Sequence, residues 1–403
     1  MFFGYKKFHL FFNGFWRFGR WAQNAKRRTV PPKAGGLGKL YQNKRPGGPR
    51  FRLGPKALVF RVFKTYNISM KKYTLLTLFL LLAGGLNATT LNVLVGRGQR
   101  IVELSFSAPY AVANAGEVYG PIAAENNLKL ENTAPDRLLV SVRDAKTGKY
   151  KSLGTFKGRV DVVRRVAGLD MASPRPVSQL KARKIGERAL RLAEESVRGG
   201  RFITYKHPGY GGKIVYEGPF SAYGKQGVEL VETVELERYV TQVVACELGG
   251  EKAIEALKAQ SVLARSYALA TVKSRLDSLA NGGPNWHHFQ LFATPKDQAY
   301  NCKKRVDDKE PPSDLVVRAV KATRGQVLLR NGKPVAAQYN TGAVSGKDSV
   351  SQQHIQNLAN RGNSYRAILA RYFKGVRILP YQIDLVRELA KSSLAAELKK
   401  GKK

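Results

Sequence analysis

The stretch YVTQVVACELGGEKAIEALKAQSVLARSYALA, Tyr239 to Ala270, decides how the second half of this chain folds. Its apolar residues recur every three or four positions on both sides of a Gly-Gly pair, a spacing that predicts two amphipathic helices. The stripe of the first helix that faces the core consists of Leu236, Val240, Val243 and Glu247. Either Gly249 or Gly250 can supply the left-handed cap that ends this helix. The carboxyl group of Glu247 is therefore expected on the buried side.

A carboxyl group in that position has two reasons to stay protonated near neutral pH. Desolvation disfavours the anion, and so does the negative end of the helix dipole. A protonated carboxyl group is what general acid catalysis needs. On the second helix, Gln260 and Tyr267 lie seven residues apart on one face, and a helical hairpin would bring them towards Glu247. The alternative is a structural carboxylate that pairs with an arginine such as Arg265.

The charge of the chain is concentrated in its first part. The 403 residues are 43% hydrophobic, which is ordinary for a globular protein, but their formal net charge is +40. Residues 1–69 contain sixteen Lys or Arg and no Asp or Glu. A basic arm for nucleic acid or anionic lipid would have this composition, and so would an upstream over-extension of the reading frame. The residues that follow favour the over-extension.

Residues 70–88 have the composition of a secretory signal peptide. Two lysines follow Met70, eleven mostly apolar residues run from Tyr73 to Ala83, and the segment ends on the small residue Ala88. A membrane-spanning helix needs about 20 apolar residues, so we expect export with cleavage, and translation that starts at Met70. The alternative is an uncleaved signal anchor with a basic cytoplasmic tail.

The chain after Ala88 is also basic, with 51 Lys or Arg against 29 Asp or Glu and a net charge of +22. An exported protein of this charge meets the anionic surfaces of the cell envelope. We therefore expect a periplasmic or wall-associated protein that binds no nucleic acid. In an oxidising compartment Cys246 and Cys302 can form one disulfide, whereas two cysteines without histidines at metal spacing make a poor zinc site.

Strand and helix patterns occupy separate blocks of the sequence. The runs TLNVLVG, RIVELSFS, RLLVSVRD and GRVDVVRRV predict strands in residues 89–165. A helix is predicted from about Ser178, and Asn331-Gly332 predicts a type I′ hairpin turn. Segregated strands and helices indicate an α+β protein. The predicted organisation is a basic segment 1–69, a signal peptide 70–88, a β-rich region 89–165, a linker and helix 166–200, a main domain 201–380 and a Lys-rich C-terminal helix or tail 381–403.

The residues around Glu247 resemble the core signature of the SpoIID/LytB domain family, which includes the stage II sporulation protein D lytic transglycosylases and the amidase enhancers. The matching segments are LERYVTQVVACE, EALKAQ and ARSYAL. Further similar segments follow in family order: the loop FATPKDQAY, the hairpin AVKATRGQVLLRNGKPVAAQYNT, and the final helices VSQQHIQNLANRGNSYRAILARYFKGVRI. Together they cover roughly residues 205–380.

The resemblance implies an enzyme that cleaves peptidoglycan glycan strands between N-acetylmuramic acid and N-acetylglucosamine. The single essential acid of the family falls on Glu247, which would protonate the glycosidic oxygen as an oxocarbenium-like centre forms. As a carboxylate it would then take the proton of the muramic acid 6-hydroxyl, and ring closure would leave a 1,6-anhydro end without any cofactor. The positions expected to orient the sugar are Gln260, Arg265, Tyr267, Gln298, Tyr300, Ser351 and Gln352.

The loop before Gln298 departs from the family, some members of which hold a zinc ion there with His and Cys. Here the loop reads HHFQLFATPKDQAY, which contains no cysteine and places Asp297 directly before Gln298. His287 and His288 remain, but two histidines are too few for a site. The sequence therefore predicts no metal.

The two cysteines flank the elements that the metal would join. Cys302 lies just beyond the loop, and Cys246 directly precedes Glu247. From the resemblance we hypothesise that a disulfide between them replaces the metal.

The C-terminal part of the resemblance is shortened. The family's strand end YHSTSGG is replaced by YNTGAVSGKD, and SVSQQHIQ follows almost at once. The far wall of a glycan cleft is therefore expected to be reduced. This departure supports a second hypothesis, a non-catalytic wall protein of the same fold that binds glycan or enhances a partner amidase.

Overall fold

The computed structural model describes most of the chain after residue 88. The described ranges are 89–185, 203–207, 212–249, 252–284, 286–302, 313–342 and 346–400. The predicted basic segment, signal peptide and start site lie outside these residues. Within the described ranges, no helix is both long enough and apolar enough to cross a membrane.

The first part of the fold consists of strands, as its alternating apolar residues predict. These strands are β1 (Thr90–Gln99), β2 (Ile101–Phe106), β3 (Tyr110–Asn114), β4 (Glu117–Ile122), β5 (Asn127–Ala134), β6 (Arg137–Arg143), β7 (Tyr150–Lys157), β8 (Val160–Val163), β9 (Arg183–Lys184), β10 (Ile203–His207), β11 (Gly212–Tyr216), β12 (Phe220–Lys225) and β13 (Gly227–Glu235). A short strand β14 (Leu291–Phe292) comes later in the chain.

Two large sheets share one core. The first has the strand order β14-β1-β13-β12-β8-β3-β4-β9, and the second has the order β11-β10-β2-β5-β6-β7. Apolar side chains of both sheets meet in one buried cluster that includes Val93, Leu104, Val140 and Leu230. Both sheets contain strands from residues 89–165 and strands from residues 203–235, so the two β segments form one structure.

The second part of the fold is mainly helical. Its helices in the described ranges are α1 (Leu236–Glu247), α2 (Ile254–Ala280), α3 (Asp314–Ala322), α4 (Gln352–Asn360), α5 (Tyr365–Tyr372) and α6 (Leu385–Lys400). α2 is the central helix and contacts the other five. Its buried residues occupy every side of the helix, as a helix surrounded by neighbours requires. The predicted α+β class is confirmed, with strands dominating from residue 90.

Short strands complete the helical part. They are β15 (Gln326–Arg330), β16 (Lys333–Pro334), β17 (Gln338–Asn340), β18 (Ser349–Ser351) and β19 (Arg377–Pro380). β16, β15 and β19 form a three-stranded sheet, and β17 pairs with β18 in parallel. Asn331 and Gly332 both have positive φ, 51° and 75°, between the paired Arg330 and Lys333. Positive φ at both central residues is what the predicted type I′ turn requires.

The end of α1 follows from one glycine. Gly249 has a φ of 71°, in the left-handed region that a residue without Cβ adopts at little cost. The chain turns there, and α2 begins only a few residues later and contacts α1.

The helix predicted from Ser178 is wrong over the described residues. Val177–Gln179 is a single 3₁₀ turn, and β9 then pairs with β4. The ammonium group of Lys151 donates to the carbonyl oxygens of Ser178 and Leu180, at 2.7 and 3.1 Å. In a helix these carbonyls would accept from backbone N–H groups; here they accept from a side chain instead. The rest of that predicted helix lies outside the described residues.

Two hydrogen bonds of the Thr89 side chain join the start of β1 to the segment before the C-terminal helix. The hydroxyl of Thr89 donates to the carbonyl of Ile383 at 2.9 Å, and the backbone N–H of Ile383 donates back to that hydroxyl at 3.4 Å. α6 follows directly and packs along α2. Residues 89 and 383 are therefore neighbours in space.

Candidate functional site

An open, polar cavity of about 500 Å³ lies where the C-terminal end of α1 meets the loop after β14 and the strand β17. Its lining residues are Glu247, Tyr267, Pro295, Asp297, Gln338, Tyr339, Asn340, Thr341, Ser349 and Gln352. Two of these residues carry carboxyl groups and two carry phenols. The cavity thus combines titratable groups with amides and hydroxyls, which suits a polar ligand rich in hydroxyl groups.

Glu247 is the half-buried carboxyl group at the last position of α1. Burial raises its pKa, while the backbone N–H of Ala299, which donates to Oε1 at 3.2 Å, and the side chain of Gln352 lower it by smaller amounts. No Lys, Arg or His of the described ranges forms a salt bridge with it. The direction of the shift is the one that the sequence predicts from desolvation.

Asp297, the second carboxyl group of the cavity, has a different environment. Arg275 holds both of its oxygens, at 2.6 and 2.8 Å, and the N–H of Phe292 donates to Oδ2 at 2.7 Å. The guanidinium group of Arg275 also lies 4.3 Å from the ring centre of Trp286. A two-point ion pair of this kind fixes the loop that carries the carboxylate.

Gln298 connects the loop to both sides of the cavity. Its amide nitrogen donates to the hydroxyl of Tyr339 at 2.7 Å and to the carbonyl of Ala264 at 3.2 Å, and its oxygen accepts from the hydroxyl of Tyr239 at 3.0 Å. Burial raises the pKa of Tyr339, and the neighbouring Glu247 raises it further. Tyr339 is therefore a neutral hydroxyl group beside Glu247.

Two buried amides lie beside the cavity. Gln352 lines it and is 3% exposed, and its Nε2 has no hydrogen-bond partner of full geometry among the described residues. Gln260 is fully buried, and neither polar atom of its amide has such a partner, although it lies close to the hydroxyl of Tyr339. A buried amide without a well-formed hydrogen bond is costly. Of the two, only Gln352 lines the cavity, so only its amide can reach a ligand there.

Arg265 does not line the cavity. It is fully buried, and it donates to both carboxylate oxygens of Glu237, at 3.0 and 2.8 Å, and to the carbonyl of Gln326 at 3.0 Å. The alternative in which Arg265 pairs with Glu247 is therefore wrong. The expectation that Arg265 orients a sugar is corrected as well, because its guanidinium group joins α1, α2 and β15 inside the protein.

Tyr300 and Ser351 also lie away from the cavity lining. The hydroxyl of Tyr300 donates to the buried carboxylate of Glu232 at 2.8 Å, and its ring stacks on Tyr239 at 5.0 Å between ring centres. Ser351 is 3% exposed and precedes the first residue of α4. Both side chains are buried and neither lines the cavity, which corrects the expectation drawn from the resemblance.

The two cysteines form a disulfide in the structure. Cys246 and Cys302 have Cα atoms 5.8 Å apart. The bond joins the end of α1 to the loop whose residue Ala299 donates to Glu247. The end of α1 is thus connected to the loop by the disulfide of Cys246 and by the hydrogen bond of Glu247.

The wall opposite Glu247 was not found from the sequence. Gln338, Tyr339, Asn340 and Thr341 line the cavity from β17 and the residues after it. β17 pairs with β18, and Gln338 lies opposite Ser349, so the shortened segment still builds a wall. The sequence signal for these residues was the alternation of polar and aromatic residues in Gln-Tyr-Asn, a run of only three strand residues.

The two histidines lie outside the cavity lining. The ring of His288 stacks on Tyr223 with 3.9 Å between ring centres, and Nδ1 of His287 lies 3.3 Å from the hydroxyl of Ser393. In the part of the chain that the structure describes, no group of three or more His, Cys, Asp or Glu side chains could hold a metal ion.

The fold and the cavity define a class: an α+β protein with one candidate acid–base carboxyl group at the end of a helix in an open polar groove. The family model described as SpoIID, Stage II sporulation protein, matches residues 224–329. The chain thus contains a domain of the SpoIID family, and the resemblance inferred from the sequence is confirmed.

Individual relatives cover a similar part of the chain. Stage II sporulation protein D of Bacillus amyloliquefaciens is 31% identical over 109 residues, and that of Bacillus subtilis (strain 168) is 32% identical over 109 residues; each match covers 27% of this chain and 32% of the relative. An uncharacterized protein of Brachyspira hyodysenteriae is 28% identical over 130 residues, or 32% of this chain and 31% of the relative. The matched part spans about a third of each relative's length.

The family match divides the cavity. It includes Glu247, Tyr267 and Asp297, and it ends at residue 329, before β17 and α4. Tyr339 and Gln352 therefore belong to the part of the cavity that the family model does not cover.

Proposed function

We propose that this protein is a peptidoglycan lytic transglycosylase, which cleaves glycan strands between N-acetylmuramic acid and N-acetylglucosamine with Glu247 as its acid–base group. The observation that carries the proposal is the contrast between the two carboxyl groups of the cavity. Arg275 forms a two-point ion pair with Asp297, whereas Glu247 has a raised pKa and no salt-bridge partner in the described ranges. The SpoIID domain supports a role at the cell wall through the resemblance described above.

In the first step, protonated Glu247 donates its proton to the glycosidic oxygen. The bond between this oxygen and C1 of muramic acid breaks, and positive charge develops on C1 and the ring oxygen. Asp297 lies in the same cavity, where its ion pair with Arg275 compensates its charge and holds the loop in place. The two carboxyl groups thus have separate tasks, which their environments determine.

In the second step, the carboxylate of Glu247 takes the proton of the muramic acid 6-hydroxyl. The oxygen of that hydroxyl forms a bond to C1 and leaves a 1,6-anhydro end. Glu247 is protonated again, so the cycle consumes no water and no cofactor. The N–H of Ala299 stabilises Glu247 in its anionic state between the two steps.

The other groups of the cavity orient the sugar. Gln352 lines the cavity with a buried amide beside Glu247, and Tyr267 and Tyr339 offer hydroxyl groups in the same cavity. Gln298 positions Tyr339 and does not line the cavity itself. Neutral donors of this kind fit sugar hydroxyl and acetamido groups.

The proposed place of action is the periplasm or the cell wall after export, where the net positive charge holds the protein near anionic envelope surfaces. The alternative function is that of a non-catalytic protein that assists a partner amidase. In that case the cavity would bind glycan without cleaving it, and the protein would deliver the partner enzyme to its substrate.

Digestion of purified glycan strands with mass spectrometry of the products tests the proposal. The wild-type protein should release fragments with 1,6-anhydro-muramic ends, and Glu247→Gln should lower the rate at least about 100-fold, the usual worth of a general acid. Asp277→Asn is the matched control, because it removes an exposed carboxylate from α2 outside the cavity. It should leave the rate unchanged.

Binding measurements on the same strands separate the two functions. If the wild-type protein binds glycan but releases no anhydro ends, the non-catalytic function replaces the enzyme. If cleavage persists in Glu247→Gln, a different group is the acid and the mechanism above is wrong.

A further inference from the structure

A second cavity, of about 370 Å³, lies beside the β15–β16 hairpin. Its lining includes Arg330, Lys333, Pro334, Val335, Ala336 and Asp348. It is smaller than the candidate active site and has an apolar part formed by three consecutive residues. Nothing in the proposed reaction uses it.

The two cavities follow the same stretch of backbone. Pro334 lines the second cavity and Gln338 lines the first, so at most about 13 Å of backbone separates them. On the neighbouring strand, Asp348 belongs to the second cavity and Ser349 to the first. The N–H of Gln338 donates to the carbonyl of Asp348 at 2.9 Å, which holds these segments together. A polymer that lies along this edge reaches both cavities.

The second cavity carries positive charge that no acid of the described ranges neutralises. Arg330 and Asp348 cancel each other in a two-point ion pair at 2.6 and 2.7 Å. Lys333 lies opposite Arg330 in the hairpin, is exposed, and forms no ion pair with a described residue. Arg330 also donates to the carbonyl of Lys374 at 3.1 Å, which brings a second exposed lysine to the rim.

The chain segment that contains Lys374 is also basic. Residues 349–383 contain no Asp or Glu. Their exposed cations are Arg361, Arg366, Arg371, Lys374 and Arg377. A surface with charge of one sign attracts a polymer of the opposite sign. A ligand drawn to this segment is therefore anionic.

We propose that the second cavity binds a carboxylate substituent of the glycan strand. The ammonium group of Lys333 takes the carboxylate, and Pro334 and Val335 pack against the apolar group that carries it. The inference rests on the proposed function only for the choice of polymer. Two sources supply this chemistry: the lactyl carboxylate of muramic acid in strands without peptides, and the carboxylates of peptides attached to it.

Equilibrium binding to three ligands tests the inference. The ligands are peptide-bearing glycan strands, strands stripped of peptides, and a neutral oligomer of N-acetylglucosamine. Full-length protein with Glu247→Gln is used, so that binding is measured without cleavage. Carboxylate-bearing strands should bind more tightly than the neutral oligomer, and added salt should reduce this preference.

Lys333→Gln in the same background should weaken binding of the carboxylate-bearing strands about three- to fivefold and leave the neutral oligomer unchanged. Lys146→Gln, which removes an exposed lysine between β6 and β7, is the matched control and should change neither. The strand type that loses more affinity identifies the source of the carboxylate.

Three outcomes overturn the inference: equal affinity for all three ligands, an unchanged affinity in Lys333→Gln, or a parallel loss for the neutral oligomer. These results are independent of cleavage, so a protein without lytic activity can still support the second cavity. Conversely, an active enzyme with no preference for carboxylates retains the proposed function and loses this inference.

Discussion

The two walls of the candidate active site differ in how firmly the protein holds them. The first wall, called the firm wall below, is formed by α1 and the loop after β14. The disulfide between Cys246 and Cys302 and the ion pair between Arg275 and Asp297 fix it. The opposite wall consists of β17 and β18, two paired strands of three residues each, with Gln338 and other exposed side chains.

This difference separates chemistry from recognition. An acid–base group must keep its distance to the reacting atoms within a fraction of an ångström, which favours a wall with several independent connections. A wall that only recognises the ligand can be short and variable. In agreement with this, the family match covers the firm wall and ends before the other.

The largest effect is expected from the ion pair of the firm wall. Asp297→Asn leaves the guanidinium group of Arg275 largely buried without its anion and should lower the free energy of unfolding by about 3–5 kcal/mol. Denaturant unfolding measures this. Asp277→Asn, which breaks the exposed pair with Lys273, should cost less than about 1 kcal/mol. Similar losses of unfolding free energy in the two variants would mean that the buried ion pair stabilises the protein no more than the exposed one.

The disulfide should rank second. Replacing Cys246 and Cys302 together by serine should lower the free energy of unfolding by about 2–4 kcal/mol, because the unfolded chain gains freedom. A reducing agent should have the same effect on the wild-type protein and no further effect on the double variant. Stability that does not change under reduction would show that the bond does not support this wall.

The pH dependence of stability tests the environment of Glu247. Burial raises its folded-state pKa above the ordinary value of 4.5, so the group contributes stability that is fully present below pH 4.5 and is lost as the pH rises through the folded-state pKa. Glu247→Gln cannot ionise and should lack this loss, so it should become more stable relative to wild type as the pH rises through that window. Parallel stability curves for the two proteins would contradict a raised pKa.

A smaller effect is expected where the two walls meet. Tyr339→Phe removes the hydroxyl group that accepts from Gln298 and leaves that amide proton without a partner. The expected cost is about 1 kcal/mol in unfolding free energy. Calorimetry measures it, and a loss as large as that of Asp297→Asn would place Tyr339 in the firm wall.

The smallest effect is expected on the exposed strand wall. Thr341→Ala changes a side chain that lines the cavity and makes no described hydrogen bond, so stability should change by no more than about 0.5 kcal/mol. Glycan affinity should respond more than stability. A large loss of stability would show that both walls are equally firm.

Local features of this chain could be predicted from the sequence. The cap at Gly249, the turn at Asn331-Gly332 and the partial burial of Glu247 each depend on neighbours within one helical turn or one hairpin. Such features follow from the conformational preferences of single residues and from residue spacing, and both can be read from the sequence.

Features that depend on distant partners could not be predicted in the same way. Arg265 had two acids of α1 within its reach in the sequence, and only the packing of α2 against α1 selects Glu237 over Glu247. Tyr339 lies in a strand of three residues, too short for a clear period of two. No helix forms at residues 178–180, where the carbonyl of Ser178 accepts a hydrogen bond from Lys151 of β7, a residue outside the local sequence pattern.

The position of β1 has a consequence for how the molecule assembles. β1 lies between β13 and β14, and Val93 is paired with Leu291 across nearly two hundred residues. A chain that is delivered amino end first therefore holds an apolar strand without neighbours until most of its length has emerged, and long-range pairing of this kind is slow. During that interval the segment is a target for chaperones and for aggregation.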